Sequence, residues 1–321
     1  MGPLVLVDDR GKEVGRLPAE VISGELEIFW GDLARILHVA VRNDVDYRFG
    51  VRVTALNDDG KRVEATFSDA STGTYDFVIG ADGLHSGVRG LVFGPEAQHV
   101  TQLGQHFGFF DMENHLRLDH LGMACGLPGR MAVLQATDPD KPGRASFYLT
   151  DPHLVFDYRD NEGNKRLFAE RFAGMGREVP SLLEALAEAP EVYFDSIAQV
   201  HLSCYARGRV CLIGDAAWCA SPRSGMGTSL AVVGAYVLAH ELGAAHRDHA
   251  AAFANYQQLL VPYVALCQKV AIDALKLDDA ASPWISRFRN VGLRLLRIPV
   301  VSKVVARRSL AVGRSFTLPS Y

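Results

Sequence analysis

Apolar positions along the chain follow two periodicities, and the change from one to the other marks its organisation. Leu4-Val5-Leu6-Val7 is an apolar run closed by Asp8-Asp9-Arg10-Gly11-Lys12, which reads as a strand entering a hairpin turn. From Asp32 to Asn43 the apolar residues Leu33, Ile36, Leu37 and Ala40 recur at helical spacing. Val51–Leu56, Asp58-Asp59-Gly60 and Val63–Phe67 read as strand, turn and strand. Tyr75–Gly80 is a buried-strand run ending on a glycine turn. From about Thr101 to Tyr158 the pattern alternates. Strands are expected at Gln105–Phe110, Arg130–Thr137 and Ala145–Thr150, with a turn at Pro139–Gly143, so this stretch predicts an antiparallel sheet. Lys165–Phe172 and Ser181–Ala189 read as helices, the second capped by Ser181 with Glu184 three residues on. Asp195–Val200 and Arg209–Ile213 return to strand, and Thr228–Ala245 is a long apolar helix.

Bulk properties narrow the function classes. A chain of 321 residues can bury one large core or two ordinary ones. With 48% hydrophobic and 22% charged residues it reads as a globular protein, and a net charge of −4 argues against nucleic acid as a partner. Cys125, Cys204, Cys211, Cys219 and Cys267 form an odd set without a CxxC pair, as expected of thiols in a reducing compartment. No signal-peptide pattern opens the chain and no unbroken run of about 18 apolar residues occurs, so a cytoplasmic protein without stable membrane insertion is expected. His246 and His249 could share a metal, but without a third ligand they read as a solvated helix end, and no metal site is expected. The basic tail from Arg287 to Arg314, with apolar residues between its charges, could touch an anionic membrane surface.

Two segments carry chemistry. Gly214-Asp215-Ala216-Ala217-Trp218-Cys219-Ala220-Ser221-Pro222-Arg223-Ser224-Gly225-Met226-Gly227-Thr228 follows a buried strand and opens a helix. There, backbone N–H groups and the helix dipole can face a ligand. Gly214 allows close backbone approach, Asp215 can accept hydrogen bonds from a polyol, and Pro222 stiffens the loop. Gly225 and Gly227, flanking Met226, clear side chains so that something flat and electron-rich can lie against the helix start. A turn cap at Asp215 and packing glycines would explain the Gly-Asp pair alone, but they explain the whole spaced string poorly. Gly80-Ala81-Asp82-Gly83-Leu84-His85-Ser86-Gly87-Val88-Arg89 also follows a buried strand. Asp82 and Gly83 make a turn, Ser86 can cap a short helix, and Arg89 offers a charge for phosphate. An ordinary strand-to-helix turn explains this segment as readily. Trp30, Tyr205 and Trp218 could stack on a ring or simply pack in a core.

The two segments resemble the Asp-Gly and Gly-Asp motifs of the class A FAD-dependent monooxygenases, the para-hydroxybenzoate hydroxylase group. Within it the chain is most similar to actinobacterial relatives of tetracycline-inactivating monooxygenases, from about Leu4 to the Leu318-Pro319 ending. The resemblance implies an α/β fold of the FAD/NAD(P)-binding, glutathione-reductase-like kind, with an inserted antiparallel substrate-binding sheet. The FAD-binding part would comprise residues 1–100 and 193–270, the substrate sheet 101–192, and a helical tail 271–321. It implies FAD at Asp82, Gly83, Arg89, Gly214, Asp215, Pro222, Gly225, Met226 and Gly227, with NAD(P)H as reductant and a small aromatic or polyketide-like substrate. Oxygen would pass to that substrate from a flavin C4a-hydroperoxide, so no catalytic side chain is nominated. The family's opening strand and Gly-x-Gly-x-x-Gly turn is absent from the sequence, which implies that roughly 60–75 residues precede this stretch in the family. Trp30 stands where the family has a flavin-contacting arginine. A chain of this kind that does not hold FAD is the rival reading.

Overall fold

The computed structural model describes residues 2–8, 11–19, 28, 30–155, 157–176, 178–245, 248–278 and 315–320. In chain order the strands are β1 (Leu4–Val7), β2 (Glu13–Leu17), β3 (Val53–Asp58), β4 (Val63–Phe67), β5 (Thr72–Tyr75), β6 (Val78–Gly80), β7 (Val100–Met112), β8 (Leu121–Leu127), β9 (Arg130–Ala136), β10 (Gly143–Thr150), β11 (Tyr193–Val200), β12 (Ala206–Arg207) and β13 (Val210–Leu212). The helices are α1 (Trp30–Val41), α2 (Gly87–Val92), α3 (Asn161–Phe172), α4 (Val179–Glu188), α5 (Asp215–Trp218), α6 (Gly227–Ala244) and α7 (His249–Asp278). The chain forms two compact units. One comprises Met1–Glu27, Gln102–Ile197 and Leu275–Ala311, the other Ile28–Thr101, Ala198–Ala274 and Val312–Tyr321.

In the first unit a seven-stranded sheet runs in the order β11-β7-β10-β9-β8-β1-β2. Its period-two pattern decides which face is core. On β10, Ala145, Phe147 and Leu149 are buried at 0–3% exposure, with Arg144 and Tyr148 on the other face. Phe168 and Phe172, one turn apart on α3, close over Phe147, the nearer ring centroid 4.9 Å away. Leu182 and Leu186 bring α4 onto the same core. Full burial of each such side chain contributes about 1.5–3 kcal/mol. The middle stretch is therefore the antiparallel sheet its alternation predicts, with β8 as an additional strand. The opening hairpin, expected in the FAD-binding part, instead pairs through β1 with β8 in parallel, Leu4 opposite Gly122.

In the second unit β13 lies between antiparallel β12 and parallel β6, and β3, β4 and β5 form a separate meander. Leu212, Trp218, Leu230, Tyr256 and Leu260 are fully buried around β13, and the Tyr256 hydroxyl donates to the Leu212 carbonyl at 3.1 Å.

Three expectations need correcting, and α7 bears on a fourth. Helix α4 starts at Val179 rather than at a Ser181 cap, because Pro180 is preset for the first helical turn. The Tyr75–Gly80 run is not one strand: Tyr75 and Phe77 stand 41% and 37% exposed, and the chain bends between β5 and β6. His249–Lys276 is long and apolar enough to cross a membrane, at a mean hydropathy of 1.3. It nevertheless presents Phe253, Tyr256, Leu260, Val264 and Cys267 to the core of the second unit, as a core helix does. The helical tail does not extend through residues 315–320, which carry no helix and pack Phe316 on Tyr263 at 5.1 Å. The basic tail through Arg314, His246 and the Trp30 side chain lie outside the described residues.

Candidate functional site

Strands β6 and β13 run side by side in one direction, Val210 opposite Val78 and Leu212 opposite Gly80. Both chemistry-bearing segments leave this pair at its carboxyl end, where open parallel sheets receive ligands. The pairing continues one step past the strands, with Ile213 N–H donating to the Gly80 carbonyl at 2.9 Å.

The first segment turns at Gly83, whose φ of +81° suits glycine. Asp82 is exposed, but both its carboxylate oxygens are engaged, one accepting from the Ser86 hydroxyl and the other from Val88 N–H at 3.0 Å. Ser86 Oγ accepts from Arg89 N–H at 2.9 Å, so it caps α2 as its position predicts. The expectation that Arg89 meets a phosphate is corrected. Its side chain is fully buried, donating to the Leu84 carbonyl at 2.6 Å and the Ala216 carbonyl at 3.0 Å. Glu96 lies 3.6 Å from the guanidinium and also holds His85 Nδ1 at 3.0 Å. Burial lowers the Arg89 pKa, while Glu96 and Asp82 pull it back up. Arg89 ties the first segment to the second.

In the second segment Gly214 takes φ +60° and ψ −145°, a torsion essentially reserved for glycine. A Cβ there would stand an ordinary 3.6 Å from Ala231, so the torsion rather than crowding requires glycine. Asp215 is exposed at the first residue of α5, with Ala216, Ala217 and Trp218 buried behind it. Trp218 and Tyr205 belong to the core, their rings 4.9 Å apart, and burial pushes the Tyr205 hydroxyl up to about 12. Pro222, itself exposed, opens a 3-10 turn that Gly225 ends, and α6 begins at Gly227 with Met226 as its N-cap. No side chain caps this helix, and a Cβ at Gly225 or Gly227 would meet nothing within 4 Å.

An uncapped helix start with open space beside it is suited to an electron-rich, flat group, because first-turn N–H groups and the dipole favour negative charge. Asp215 stands nearby in sequence, exposed, to take polyol hydroxyls. These residues fit FAD, while Arg89 holds the frame from behind. The structure therefore brings the Asp82-Gly83 turn and the Gly214-Asp215 turn to one sheet edge. Sequence reasoning missed Glu96, which no local pattern signals, and also Ser221 and Ser224, buried at 3% and 8% exposure. A concavity of about 660 Å³ is lined by residues that include Ala206, Gly208, Phe253, Gln257, Val261 and Pro262, none of them from either motif. Among the described residues no group of three His, Cys, Asp or Glu is placed to hold a metal.

Comparison with known proteins shows the family. The family described as FAD binding domain matches residues 32–277. An uncharacterized protein of Mycobacterium tuberculosis is 42% identical over 236 residues, 74% of this chain; the match spans 63% of that protein, less than two thirds. A flavin-dependent monooxygenase of Legionella longbeachae is 31% identical over 320 residues, covering 99% of this chain and 78% of the relative. The solved structure of the tetracycline destructase Tet(51) superposes with a TM-score of 0.83 at 30% identity, covering 99% of this chain and 80% of that one.

Proposed function

Because the chain belongs to the FAD-binding-domain family of flavin-dependent monooxygenases, we propose that it uses FAD, NAD(P)H and O₂ to hydroxylate a small aromatic or polyketide-like molecule. Bound FAD, once reduced, supplies the activation of O₂; this chain's residues supply position and electrostatics. In this reading Asp215 accepts hydrogen bonds from the ribityl or pyrophosphate portion. Pro222 borders the ring, and the Gly225–Gly227 backbone favours negative charge at its N1–C2 edge. The Asp82-Gly83 turn supports the cofactor through backbone, with its carboxylate capping α2. A polyketide-like substrate is suggested by the likeness to the tetracycline destructase.

The observation that carries the reading is the meeting of both motifs at the carboxyl end of one parallel strand pair, joined by Ile213 N–H to Gly80 and by Arg89 to Ala216. The test is a fluorescence titration of the purified chain with FAD, followed by oxygen-electrode assays with NADH and NADPH against a panel of phenols and enolised polyketides. Saturable FAD binding and a product one oxygen atom heavier are expected. Failure to bind FAD, or reductant oxidation that no panel member changes, defeats the proposal.

A further inference from the structure

Ser221 sits at φ 78° and ψ 145°, a conformation that only glycine enters at low cost, yet it is a serine and 3% exposed. Bonds within the loop hold it there. Its Oγ accepts from Arg223 N–H at 3.1 Å. Its carbonyl accepts twice from Ser224, from the N–H at 3.0 Å and from the hydroxyl at 2.8 Å. The same Ser224 Oγ accepts the Met226 N–H at 3.1 Å. Upstream, Gln199 Nε2 donates to the Ala220 carbonyl at 3.2 Å, which fixes the residue before the strained one. One buried hydroxyl thus bridges the strained residue and the N-cap of α6. The segment from Ser221 to Met226 is pinned from inside before any ligand arrives.

We propose that Ser221 and Ser224 are positioning residues: they hold a strained loop that sets the Gly225–Gly227 backbone edge against the flavin ring. The inference rests on the FAD reading above and deepens it. Removing the Ser224 hydroxyl takes one of its supports from the Ser221 torsion and leaves the Met226 N–H without its acceptor, so the loop relaxes and the edge moves. Glycine at 221 tolerates the torsion without support, so Ser221→Gly compensates for the loss of the Ser224 hydroxyl. A merely structural role would also be compensated in stability, but it would leave the spectrum of the bound flavin unmoved in Ser224→Ala.

The test compares the 321-residue chain with Ser224→Ala, Ser221→Gly and the double variant. Ser224→Ala is expected to weaken FAD binding by roughly tenfold and to shift the visible spectrum of the bound flavin. The double variant is expected to recover most of both. In flavin-free protein, amide exchange at residues 224 and 225, whose N–H groups donate to the Ser221 and Pro222 carbonyls, should accelerate by roughly tenfold in Ser224→Ala and fall back in the double variant. Met226, which loses its acceptor in both, should stay fast in both. Unchanged affinity, spectrum and exchange in Ser224→Ala overturn the inference, as does a double variant no better than Ser224→Ala. If Ser224→Ala does not fold, the double variant is expected to fold and bind, and its failure to do so is equally decisive. If the unsubstituted chain binds no FAD, the functional reading falls, and exchange in the flavin-free chain alone decides whether the two hydroxyls pin the loop.

Discussion

Replacing Arg89 separates two accounts of the Asp-Gly motif. As a tie between the motifs, Arg89 stabilises the protein before any ligand binds. As a phosphate ligand it would matter mainly to affinity. Arg89→Met removes two hydrogen bonds from a charged donor, to Leu84 and Ala216. Bonds of that type contribute about 1.5–3 kcal/mol each, and a buried carbonyl left without a partner costs about 1–3 kcal/mol. Two terms offset part of the loss. Desolvating the guanidinium is unfavourable, and its Nε is buried without a partner, so the charge is held at a cost that methionine avoids. Glu96, 42% exposed, is rehydrated when its partner goes and adds little. The net expectation is a loss of about 2–4 kcal/mol in flavin-free protein, read as a lower urea midpoint with unchanged slope. Weaker FAD binding follows as a secondary effect, and Arg89→Lys recovers only part of the stability because it cannot span both carbonyls. A flavin-free midpoint equal to that of the unsubstituted chain, together with weakened FAD binding, would refute the tie and return Arg89 to the ligand.

Three other outcomes are expected. Gly214→Ala should destabilise by about 1–3 kcal/mol by urea titration, because its torsion is closed to a Cβ even though the space is open; a neutral result would contradict that. Burial lowers the His106 pKa below the usual 6.5, with the Asp151 carbonyl and the Asp151 and Asp195 charges opposing it. The unfolded chain then binds a proton that the folded chain refuses, so stability falls as pH drops through about 6.5 and below; His106→Gln should flatten that slope in urea midpoints between pH 7.5 and 5. In thiol labelling at pH 8, Cys204 should react first, since it is the half-buried cysteine, whereas Cys211 is fully buried with its thiol pushed up to about 12. Equal labelling rates for the two would count against the fold of the second unit.

Much of the architecture was legible because hydrophobic period is a direct signal. The strands expected at Arg130–Thr137 and Ala145–Thr150 form as β9 and β10 and pair antiparallel. Strand β8 was not legible: Leu121-Gly-Met-Ala-Cys-Gly-Leu has two glycines and no β-branched residue, and only its neighbours β1 and β9 make it a strand. The Tyr75–Gly80 run misled because apolar character does not reveal exposure, and Tyr75 and Phe77 face outward. At the site, glycine spacing and the strand-to-helix context carried the reading of the second motif. The partner of a charge is a tertiary fact. Arg89 lies 127 residues from Ala216, and no local pattern tells a guanidinium that will meet a carbonyl from one that will meet a phosphate. Ser221 was equally opaque, since a left-handed torsion on a serine is imposed by its surroundings and has no sequence signal.

The chain leaves the second unit after Thr101 and is back at Ala198, and close to these two points His201 N–H donates to the His99 carbonyl at 2.8 Å. Everything between is an excursion that begins and ends at one point. Strands β6 and β13 lie far apart in sequence, and pairing them by random closure of so long a loop would be entropically slow. If the excursion folds first, its two ends arrive together and the effective loop shrinks to the stretches from Gly80 to His99 and from His201 to Val210. The order of events then follows from chain entropy: the inserted sheet acts as a splint, and the two motifs meet only after it has set.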